Sequence, residues 1–384
     1  MTPRPSEWGP PFRFKPEDLE SLFVVLHEQA YKIIGPTVND DAIVLGELNS
    51  TADLPVGWTD EQSGGSYRLA RHSRPEFFHF ASGPHSLKQY LHPPSVCLWT
   101  ASRNGHGFEI MEKVQEAGKL AFVGVRACDL HALAILDKVF KAGPLPDSSY
   151  ALRRSQLLVI AVNCTSPGGT CFCESMKCGP QVDEGFDLVL TEIEDEGRHF
   201  FVGQAGSESG RTIAAKIPQE EASSTDLERV ETMLNDARTR MGRRLDTSDL
   251  KKQLYRSYDH PRWEETAERC LNCGNCTMVC PTCFCNTMED VTDLSGVRAE
   301  RWRKWDSCFT TDFSYIHGGS IRSSAKSRYR QWLIHKLATW VDQFGTFGCV
   351  GCGRCITWCP VGIDLTEETA AILESNSTST PGMK

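Results

Sequence analysis

Two cysteine runs in the C-terminal third of the chain have the types and spacing needed to bind iron–sulfur clusters. Each run reads C-x2-C-x2-C-x3-C-P, formed by Cys270, Cys273, Cys276 and Cys280 and then by Cys349, Cys352, Cys355 and Cys359. The short spacings let three thiolates surround one [4Fe–4S] cubane, and the proline turns the chain so that the fourth thiolate reaches the neighbouring cubane. One run alone could be a zinc site or a chance occurrence, but two runs that each end in proline favour two clusters.

The spacing is that of bacterial two-cluster ferredoxins, in which the fourth cysteine of each run serves the other cluster. We therefore predict a first-run cluster held by Cys270, Cys273, Cys276 and Cys359. We predict a second-run cluster held by Cys349, Cys352, Cys355 and Cys280. The chemistry expected of such a pair is transfer of single electrons.

A further group of cysteines predicts a third site. Cys128 follows the apolar segment LAFVGV (120–125), and Cys164 ends the next apolar segment, LLVIAVN (157–163). The carboxyl ends of neighbouring parallel strands are where α/β sheets bind ligands, and a thiol at a helix N-terminus ionises more easily. The loop after Cys164 adds more thiols, so we predict a third [4Fe–4S] cluster on Cys128, Cys164, Cys171 and Cys173, with Cys178 as the substitute ligand. Zinc or a redox-active thiol pair are the alternatives at this site.

Three cysteines near the first run have no assigned role. Cys283 and Cys285 lie in PTCFC, and Cys308 lies in WDSC. They could support a cluster from outside its ligand set, or one of them could replace an assigned ligand. The spacing from Cys280 to Cys285 makes such a replacement conceivable, and the sequence leaves the choice open.

The first half of the chain predicts an α/β domain that would position the third site. An amphipathic helix has Pro16 in its first turn and ends before Gly35. LAFVGV, the helix DLHALAILDKVF (129–140) with Asp129 as its N-cap, and LLVIAVN then form a strand–helix–strand unit. Residues 186–206 read as a hairpin beside that sheet.

The second half predicts helices that deliver the two runs. Thr225 and Glu228 suggest a capping box, Pro261 begins a helix leading to Cys270, and a helix near 326–344 ends at Gly345, just before Cys349. Because each run follows a helix, we predict an all-helical, two-[4Fe–4S] ferredoxin-like domain. The expected fold is thus α+β, with an α/β domain over 1–220 and the helical domain over 221–384.

Composition and charge limit the function classes. The 384 residues are 40% hydrophobic and 24% charged, with a formal net charge of -9 that argues against nucleic-acid binding. The 17 cysteines cluster at ligand spacings, which favours a reducing compartment. The N-terminus lacks a signal-like apolar segment, and no apolar run approaches the roughly 20 residues of a membrane span. We expect a cytoplasmic protein without membrane contact.

The segment between the two runs is basic. It contains Arg298, Arg301, Arg303, Lys304, Arg322, Lys326, Arg328, Arg330 and Lys336. It has few acids, namely Glu300, Asp306 and Asp312. Buried anionic clusters invite compensating cations, although a solvated basic face is the simpler expectation for most single residues.

With these segments in view, the chain resembles β subunits of cytosolic NAD(P)-coupled [NiFe] hydrogenases, the sulfhydrogenases, and the related A subunit of anaerobic sulfite reductase. The likeness runs from about residue 15 to 370, through GVRACDLHALAILDKVF, NCTSPGGTCFC, CLNCGNCTMVCPTCFC, WDSCFTTDFSYIHGGSIRSS, SRYRQWLIHKLATWVDQFG and GCVGCGRCITWCPVGID. The segment CFCESMKCGP departs from the pattern, because Lys177 and Cys178 stand where small residues are expected.

The resemblance implies a non-catalytic subunit that relays electrons. Its partners would be an NAD(P)H-oxidising flavoprotein with FAD and a [2Fe–2S] centre, and the small and large subunits of a [NiFe] hydrogenase. The alternative is the same relay in an anaerobic sulfite or sulfur reductase complex, feeding its catalytic subunit. The residues agree, since no GxGxxG follows a strand and no phosphate-binding loop is present. A stand-alone sulfur reductase using Cys128 or the 283/285 pair, and a structural cluster protein on nucleic acid, are weaker hypotheses.

Overall fold

The structure is a computed structural model that describes residues 8–105, 107–113, 117–195 and 197–378. The strands of its first part are β1 (Phe12–Phe14), β2 (Lys32–Asn39), β3 (Ala42–Glu47), β4 (Trp58–Ser63), β5 (Ser66–Arg71), β6 (Ser95–Asn104), β7 (Gly107–Glu112), β8 (Leu120–Val125), β9 (Leu157–Val162), β10 (Leu188–Asp195), β11 (Arg198–Ala205) and β12 (Glu220–Glu221). The later strands are β13 (Asn286–Thr292), β14 (Arg298–Trp305), β15 (Tyr315–Ile316) and β16 (Gly319–Ser320).

Helices alternate with these strands and predominate after residue 222. They are α1 (Leu19–Glu28), α2 (Lys88–Leu91), α3 (Ala127–Phe140), α4 (Ser148–Ser155), α5 (Glu208–Ala214), α6 (Ser224–Thr239), α7 (Leu250–Arg256), α8 (Arg262–Arg269), α9 (Asn275–Met278), α10 (Ala325–Ile334), α11 (Trp340–Phe344), α12 (Arg354–Thr357) and α13 (Leu365–Thr378). Among the helices described, none is both long and apolar enough to span a bilayer.

An eight-stranded mixed sheet forms the centre of the first half, in the order β12-β1-β11-β10-β9-β8-β2-β3. Strands β2, β8, β9 and β10 run parallel, and the predicted strand–helix–strand unit is β8, α3 and β9. The predicted hairpin is β10 with β11. The continuous apolar runs of β8 and β9 are buried on both sheet faces, as parallel strands covered by helices require.

Helices α1 and α3 pack in two separate apolar clusters, and the central strands contribute side chains to both. Leu22 and Phe23 of α1 pack with Val123 and Ile160 in one cluster, whereas Leu133 of α3 packs in another with other residues of β8 and β9. The sheet thereby places the start of α3 at the carboxyl ends of β8 and β9, where Cys128 and Cys164 were expected.

The prediction of an all-helical second domain is wrong. Strands β13 and β14 lie between the cysteine runs and pair with β6 and β7 in a four-stranded antiparallel sheet, in the order β13-β14-β6-β7. Charged pairs across the strands, Arg301 with Asp290 at 2.7 Å and Lys304 with Glu289 at 2.5 Å, take the place of an apolar face. The segment therefore lacks the simple alternation of apolar residues that identifies a strand from sequence.

Several element boundaries also differ from the predictions. Helix α3 begins two residues earlier than expected, with Arg126 as its N-cap, so Asp129 lies buried in the first turn. The capping box of α6 uses Ser223 and Asp226 rather than Thr225 and Glu228. Gly35 lies inside β2, where a Cβ would approach Leu48 Cδ1 to 2.6 Å. This glycine serves close strand packing rather than helix termination.

The helix predicted near 326–344 is present in three pieces. Helix α10 is followed by a π-helical turn, His335–Thr339, and then by α11, which ends at Gly345 with a φ of +70°. The domain boundary near residue 220 stays a prediction. The four-stranded sheet contains residues from both sides of it, as does the apolar cluster around Trp263, Trp332 and Cys173.

Candidate iron–sulfur sites

The two cysteine runs fold into the same local structure. In each, a glycine with positive φ, Gly274 or Gly353, precedes a one-turn helix, α9 or α12. The third cysteine of the run lies in that helix and the fourth follows it. The side chain of Asn275 donates to the carbonyl of Trp358, which ties the two turns together. This equivalence brings the fourth cysteine of one run towards the first three of the other.

The first-run thiols surround a cavity that is otherwise apolar. Its walls include Cys270, Cys273, Cys276 and Cys359, together with Cys355, Phe309, Tyr329 and Trp332. Burial, followed by the nearby thiols of Cys270, Cys359 and Cys273, raises the pKa of Cys276 well above its usual value. The structure therefore brings together the four residues predicted for the first-run cluster. Cys273 is exposed, so this site lies near the surface.

The second-run thiols meet deeper in the chain. Burial raises the pKa of Cys355 well above its usual value, and the thiols of Cys349, Cys280 and Cys352 add to the shift. The Gly351 backbone N–H points to Cys349 Sγ at 3.5 Å. The four residues predicted for the second-run cluster are thus also brought together, although β13 and β14 separate Cys280 from the other three in the sequence.

The third group of cysteines lines one cavity at the carboxyl ends of β8 and β9. Its walls include Cys128, Cys164, Cys171 and Cys173, with Arg126, Met241 and Cys352 beside them. Four thiols around one enclosed space are a donor set that fits an iron–sulfur cluster or zinc. Cys178 is buried but is not part of this wall, and its thiol donates to the Met176 carbonyl at 3.3 Å.

The expectation that the Cys128 thiol ionises easily at its helix N-terminus is wrong. Cys128 lies in the first turn of α3, as predicted, but burial raises its pKa well above the usual value, with Asp129 adding to the shift. Desolvation of the thiolate outweighs the favourable helix dipole here. Burial therefore favours the protonated form of Cys128, and a bound metal would have to displace that proton.

The third site touches the second run directly. Phe172 N–H donates to the Gly351 carbonyl at 2.8 Å, and Cys171 Sγ lies 3.8 Å from the Cys352 carbonyl oxygen. Gly351 has a φ of +68°, and a Cβ there would come within 2.6 Å of the Phe172 backbone. Glycine is needed at this position because two cysteine-containing loops pass each other at backbone distance.

Buried cations surround the second-run thiols. Lys336 Nζ lies 3.1 Å from Cys280 Sγ, and Arg354 contacts Asp129 at 2.8 Å beside Cys352. Burial alone would lower the pKa of Lys336, but the neighbouring sulfur groups of Cys280, Cys283 and Cys349 raise it well above its usual value. Lys336 was among the basic residues noted in the sequence, whereas Arg354 was missed. The only feature of the sequence that could have identified Arg354 was its position between Cys352 and Cys355.

The remaining basic residues between the runs divide into two groups. Arg303 and Arg328 are buried, like Lys336. Others form ion pairs at the surface, such as Lys326 with Glu264 at 3.1 Å. The structure therefore supports the charge-compensation reading for Lys336 and the solvated reading for residues such as Lys326.

The unassigned cysteines gather beside the second-run site. A contact with the Cys308 thiol lowers the pKa of Cys285 to about 7, and Cys283 contacts Cys280 in a similar way. A hydrogen bond from Cys283, together with Lys336, lowers the pKa of Cys280 well below its usual value. Of this pair, Cys280 has the Lys336 ammonium at 3.1 Å from its sulfur, and a cation at that distance favours the thiolate form that binds metal.

Comparison with known proteins agrees with this geometry. Residues 269–363, which contain both runs, match the family model of a 4Fe-4S dicluster domain. The chain is also 31% identical over 280 residues to sulfhydrogenase 2 subunit beta of Pyrococcus furiosus, covering 72% of this chain and 79% of that protein. The chain belongs to the sulfhydrogenase beta subunit family. No solved structure matches it.

Membership of this family makes the chain an iron–sulfur electron-transfer subunit of hydrogenase type, as its resemblance implied. The dicluster match and the cysteine-lined cavities support [4Fe–4S] clusters as its cofactors. The matched range ends before α13 and begins after β12, so it includes neither the third cavity's loop nor α3. The third site therefore depends on the structure and not on the family model.

Proposed function

We propose that this sulfhydrogenase-family beta subunit conducts single electrons through three [4Fe–4S] clusters arranged in series, with the second-run cluster in the middle. One observation carries the proposal. Cys352, predicted to bind the second-run cluster, lines the third cavity, while Cys355, another of its predicted ligands, lines the first-run cavity. The second-run cluster therefore has a ligand facing each of the other two sites.

The partners in this proposal follow the resemblance. An NAD(P)H-oxidising flavoprotein with FAD and a [2Fe–2S] centre would exchange electrons at one end, and the small and large subunits of a [NiFe] hydrogenase at the other. The relative's printed name, sulfhydrogenase 2 subunit beta, supports the hydrogenase over a sulfite or sulfur reductase. The exposed Cys273 indicates that the first-run site is one point of exchange with a partner.

This chain's own residues have defined tasks in the relay. The clusters supply the redox chemistry, within a range of roughly -700 to +450 mV that the surroundings set. Phe309, Tyr329 and Trp332 exclude water from the first-run site. The contact of Phe172 with Gly351 fixes the third-site loop against the second run, which keeps the two sites at a constant separation.

The test is anaerobic isolation of the intact complex through a tag on this chain. We expect nickel and flavin to co-purify, and about twelve irons per chain once the chain is separated from its partners, since three cubanes hold about four each. About eight irons would remove the third cluster from the proposal. A sirohaem partner without nickel would replace the hydrogenase with a sulfite reductase.

A matched variant locates the extra iron. Cys171→Ser changes the third cavity, whereas Cys178→Ser changes a buried thiol outside its wall. We expect a loss of about four irons for Cys171→Ser and none for Cys178→Ser. The reverse result would make Cys178 the ligand and correct the assignment of the third site.

A further inference from the structure

Lys336 is a charged residue in the middle of an apolar helix, where burial of an ammonium ion needs an explanation. Only 5% of the residue is exposed, and it lies between the core residues Leu333 and Leu337. Its side chain ends within hydrogen-bond distance of three groups. Nζ is 3.1 Å from Cys280 Sγ, 3.1 Å from Thr282 Oγ1 and 3.4 Å from the Gly348 carbonyl oxygen.

The hydrogen bonds around Lys336 account for all three protons of an ammonium group. The Thr282 hydroxyl donates its only proton to the Gly348 carbonyl at 2.7 Å, so Thr282 Oγ1 accepts from Lys336. The carbonyl of Gly348 and the sulfur of Cys280 are the other two acceptors. Three acceptors meet three N–H groups, and the charge is fully hydrogen-bonded in the core.

We propose that Lys336 is a positioning residue that raises the reduction potential of the second-run cluster by donating a charge-assisted hydrogen bond to its Cys280 ligand. The inference rests on the proposed relay, in which Cys280 binds that cluster. Reduction adds one negative charge to a cluster, and a cation held beside a ligand sulfur stabilises the reduced form more than the oxidised form. The low dielectric of the core strengthens this difference.

The π-helical turn gives Lys336 its unusual position. The turn His335–Thr339 is wider than the α-helix before it, and such turns are frequent at functional sites. The Lys336 carbonyl accepts from Gly348 N–H at 2.8 Å, immediately before Cys349. Lys336 therefore contacts the predicted ligand Cys280 through its ammonium group, and the residue before Cys349 through its backbone carbonyl.

This cation distinguishes the second-run cluster from the first-run cluster. Within the part of the chain that the structure describes, no lysine or arginine nitrogen donates a hydrogen bond to a sulfur of the first-run site, formed by Cys270, Cys273, Cys276 and Cys359. The middle cluster should then have a higher potential than the first-run cluster. An electron entering the relay would reside in the middle before it leaves.

The test measures cluster midpoint potentials in the full chain by anaerobic redox titration with EPR detection. Lys336→Met keeps the length of the side chain and removes its charge and donors. We expect the reduction potential of the second-run cluster to fall by about 59 mV, which for one electron is about a tenfold change in its reduction equilibrium. The potential of the first-run cluster should fall less, because Lys336 acts on Cys276 through its charge and donates no hydrogen bond to it.

Two other lysines serve as matched controls. Lys88 is equally buried, but its Nζ faces the Met278 carbonyl and the Trp305 ring rather than a sulfur. Lys326 lies on α10 and pairs with Glu264 at the surface. Lys88→Met should shift the second-run potential less than Lys336→Met does, and Lys326→Met should not shift it. An equal shift for Lys88→Met would overturn the role of the hydrogen bond.

A measurement on the unaltered chain covers the case in which Lys336→Met fails to assemble. After selective 15N-lysine labelling, ENDOR of the second-run cluster should show a 15N nucleus coupled to it, as a contact of Lys336 Nζ with the Cys280 ligand requires and a backbone N–H contact does not produce. Absence of this coupling would overturn the inference and leave the relay intact. A titration of the unaltered chain that shows no second-run cluster would instead overturn the proposed function, and this inference with it.

Discussion

Single residues around Cys280 show how the core favours a thiolate at one position and thiols at others. Cys280 lies beside Lys336 and Thr282, and its pKa is lowered, whereas burial raises the pKa of Cys276 and Cys355. Metal binding must displace the protons of the buried thiols, which makes cluster assembly dependent on pH. The Lys336 cation beside Cys280 lowers the free energy needed to remove the proton of that thiol at the second-run site.

Cys280 and Cys283 can be distinguished by substitution. Cys280→Ser removes the predicted fourth ligand of the second-run cluster, so we expect its EPR signal to be lost or strongly altered while the first-run signal persists. Cys283→Ser is the matched control, because Cys283 contacts Cys280 but is not in the predicted ligand set. Loss of the first-run signal in Cys280→Ser would show that each run binds its own cluster. Loss of the second-run signal only in Cys283→Ser would exchange the two assignments.

At the scale of elements, the four-stranded sheet holds the segment between the runs against the first half of the chain. Strand β14 lies between β13 and β6, so its backbone N–H and C=O groups face a partner strand on either side. The turn between β13 and β14 is closed by Asp293, whose carboxylate accepts from Val297 N–H at 2.9 Å. The sheet therefore brings the first run close to α2 and β6.

Proline at Ala299 tests this strand pairing. Ala299 pairs with Ala101 of β6 and Thr292 of β13, and proline would remove a donor from a central strand. We expect a loss of about 1–3 kcal/mol of unfolding free energy and faster hydrogen–deuterium exchange in residues 95–104. Ala299→Thr, which keeps the donor and favours strands, should leave that exchange unchanged. Unchanged exchange in Ala299→Pro would contradict the pairing of β14 with β6.

At the scale of the whole molecule, one buried ion pair joins the third site to the second run. Arg354 is 2% exposed and donates to Asp129 at 2.8 Å and to the Gly83 carbonyl at 2.8 Å. Asp129 follows Cys128, and Arg354 lies between Cys352 and Cys355. The pair, whose partners lie 225 residues apart in the sequence, therefore fixes the third group of cysteines relative to the second run.

Loss of one partner from this pair should be costly. Arg354→Met leaves the Asp129 carboxylate buried without its cation, and we expect a loss of about 3–5 kcal/mol of unfolding free energy in anaerobic urea titrations. The double variant Arg354→Met/Asp129→Asn removes both charges and should recover part of that loss. As a surface reference, Lys32→Gln breaks an exposed pair with Glu47 and should cost about 0–1 kcal/mol. Equal stability of the single and double variants would contradict the coupling.

Local patterns in the sequence identified much of the fold and of the candidate sites. The apolar runs around Val123 and Ile160 predicted the parallel strands, because strands buried on both faces have few polar residues. The spacing of the thiols predicted the grouping of the eight cysteines in the two runs, and the ends of two parallel strands predicted the grouping of Cys128 and Cys164 with the loop cysteines. Local patterns could not predict β14. Its partner β6 is about 200 residues away in the sequence, and its charged cross-strand pairs replace the alternation of apolar residues that identifies a strand.

The sequence by itself determined the chemistry of this protein, since C-x2-C-x2-C spacing is a local constraint that a cubane imposes on any chain. Only the tertiary structure shows which groups of cysteines lie next to each other. Cys352 lines one neighbouring cavity and Cys355 the other because the chain turns at Gly353 into α12, and the cysteine spacing does not encode that direction. The burial of Lys336 likewise depends on packing between distant segments, because the charge of a lysine says nothing of the dielectric around it.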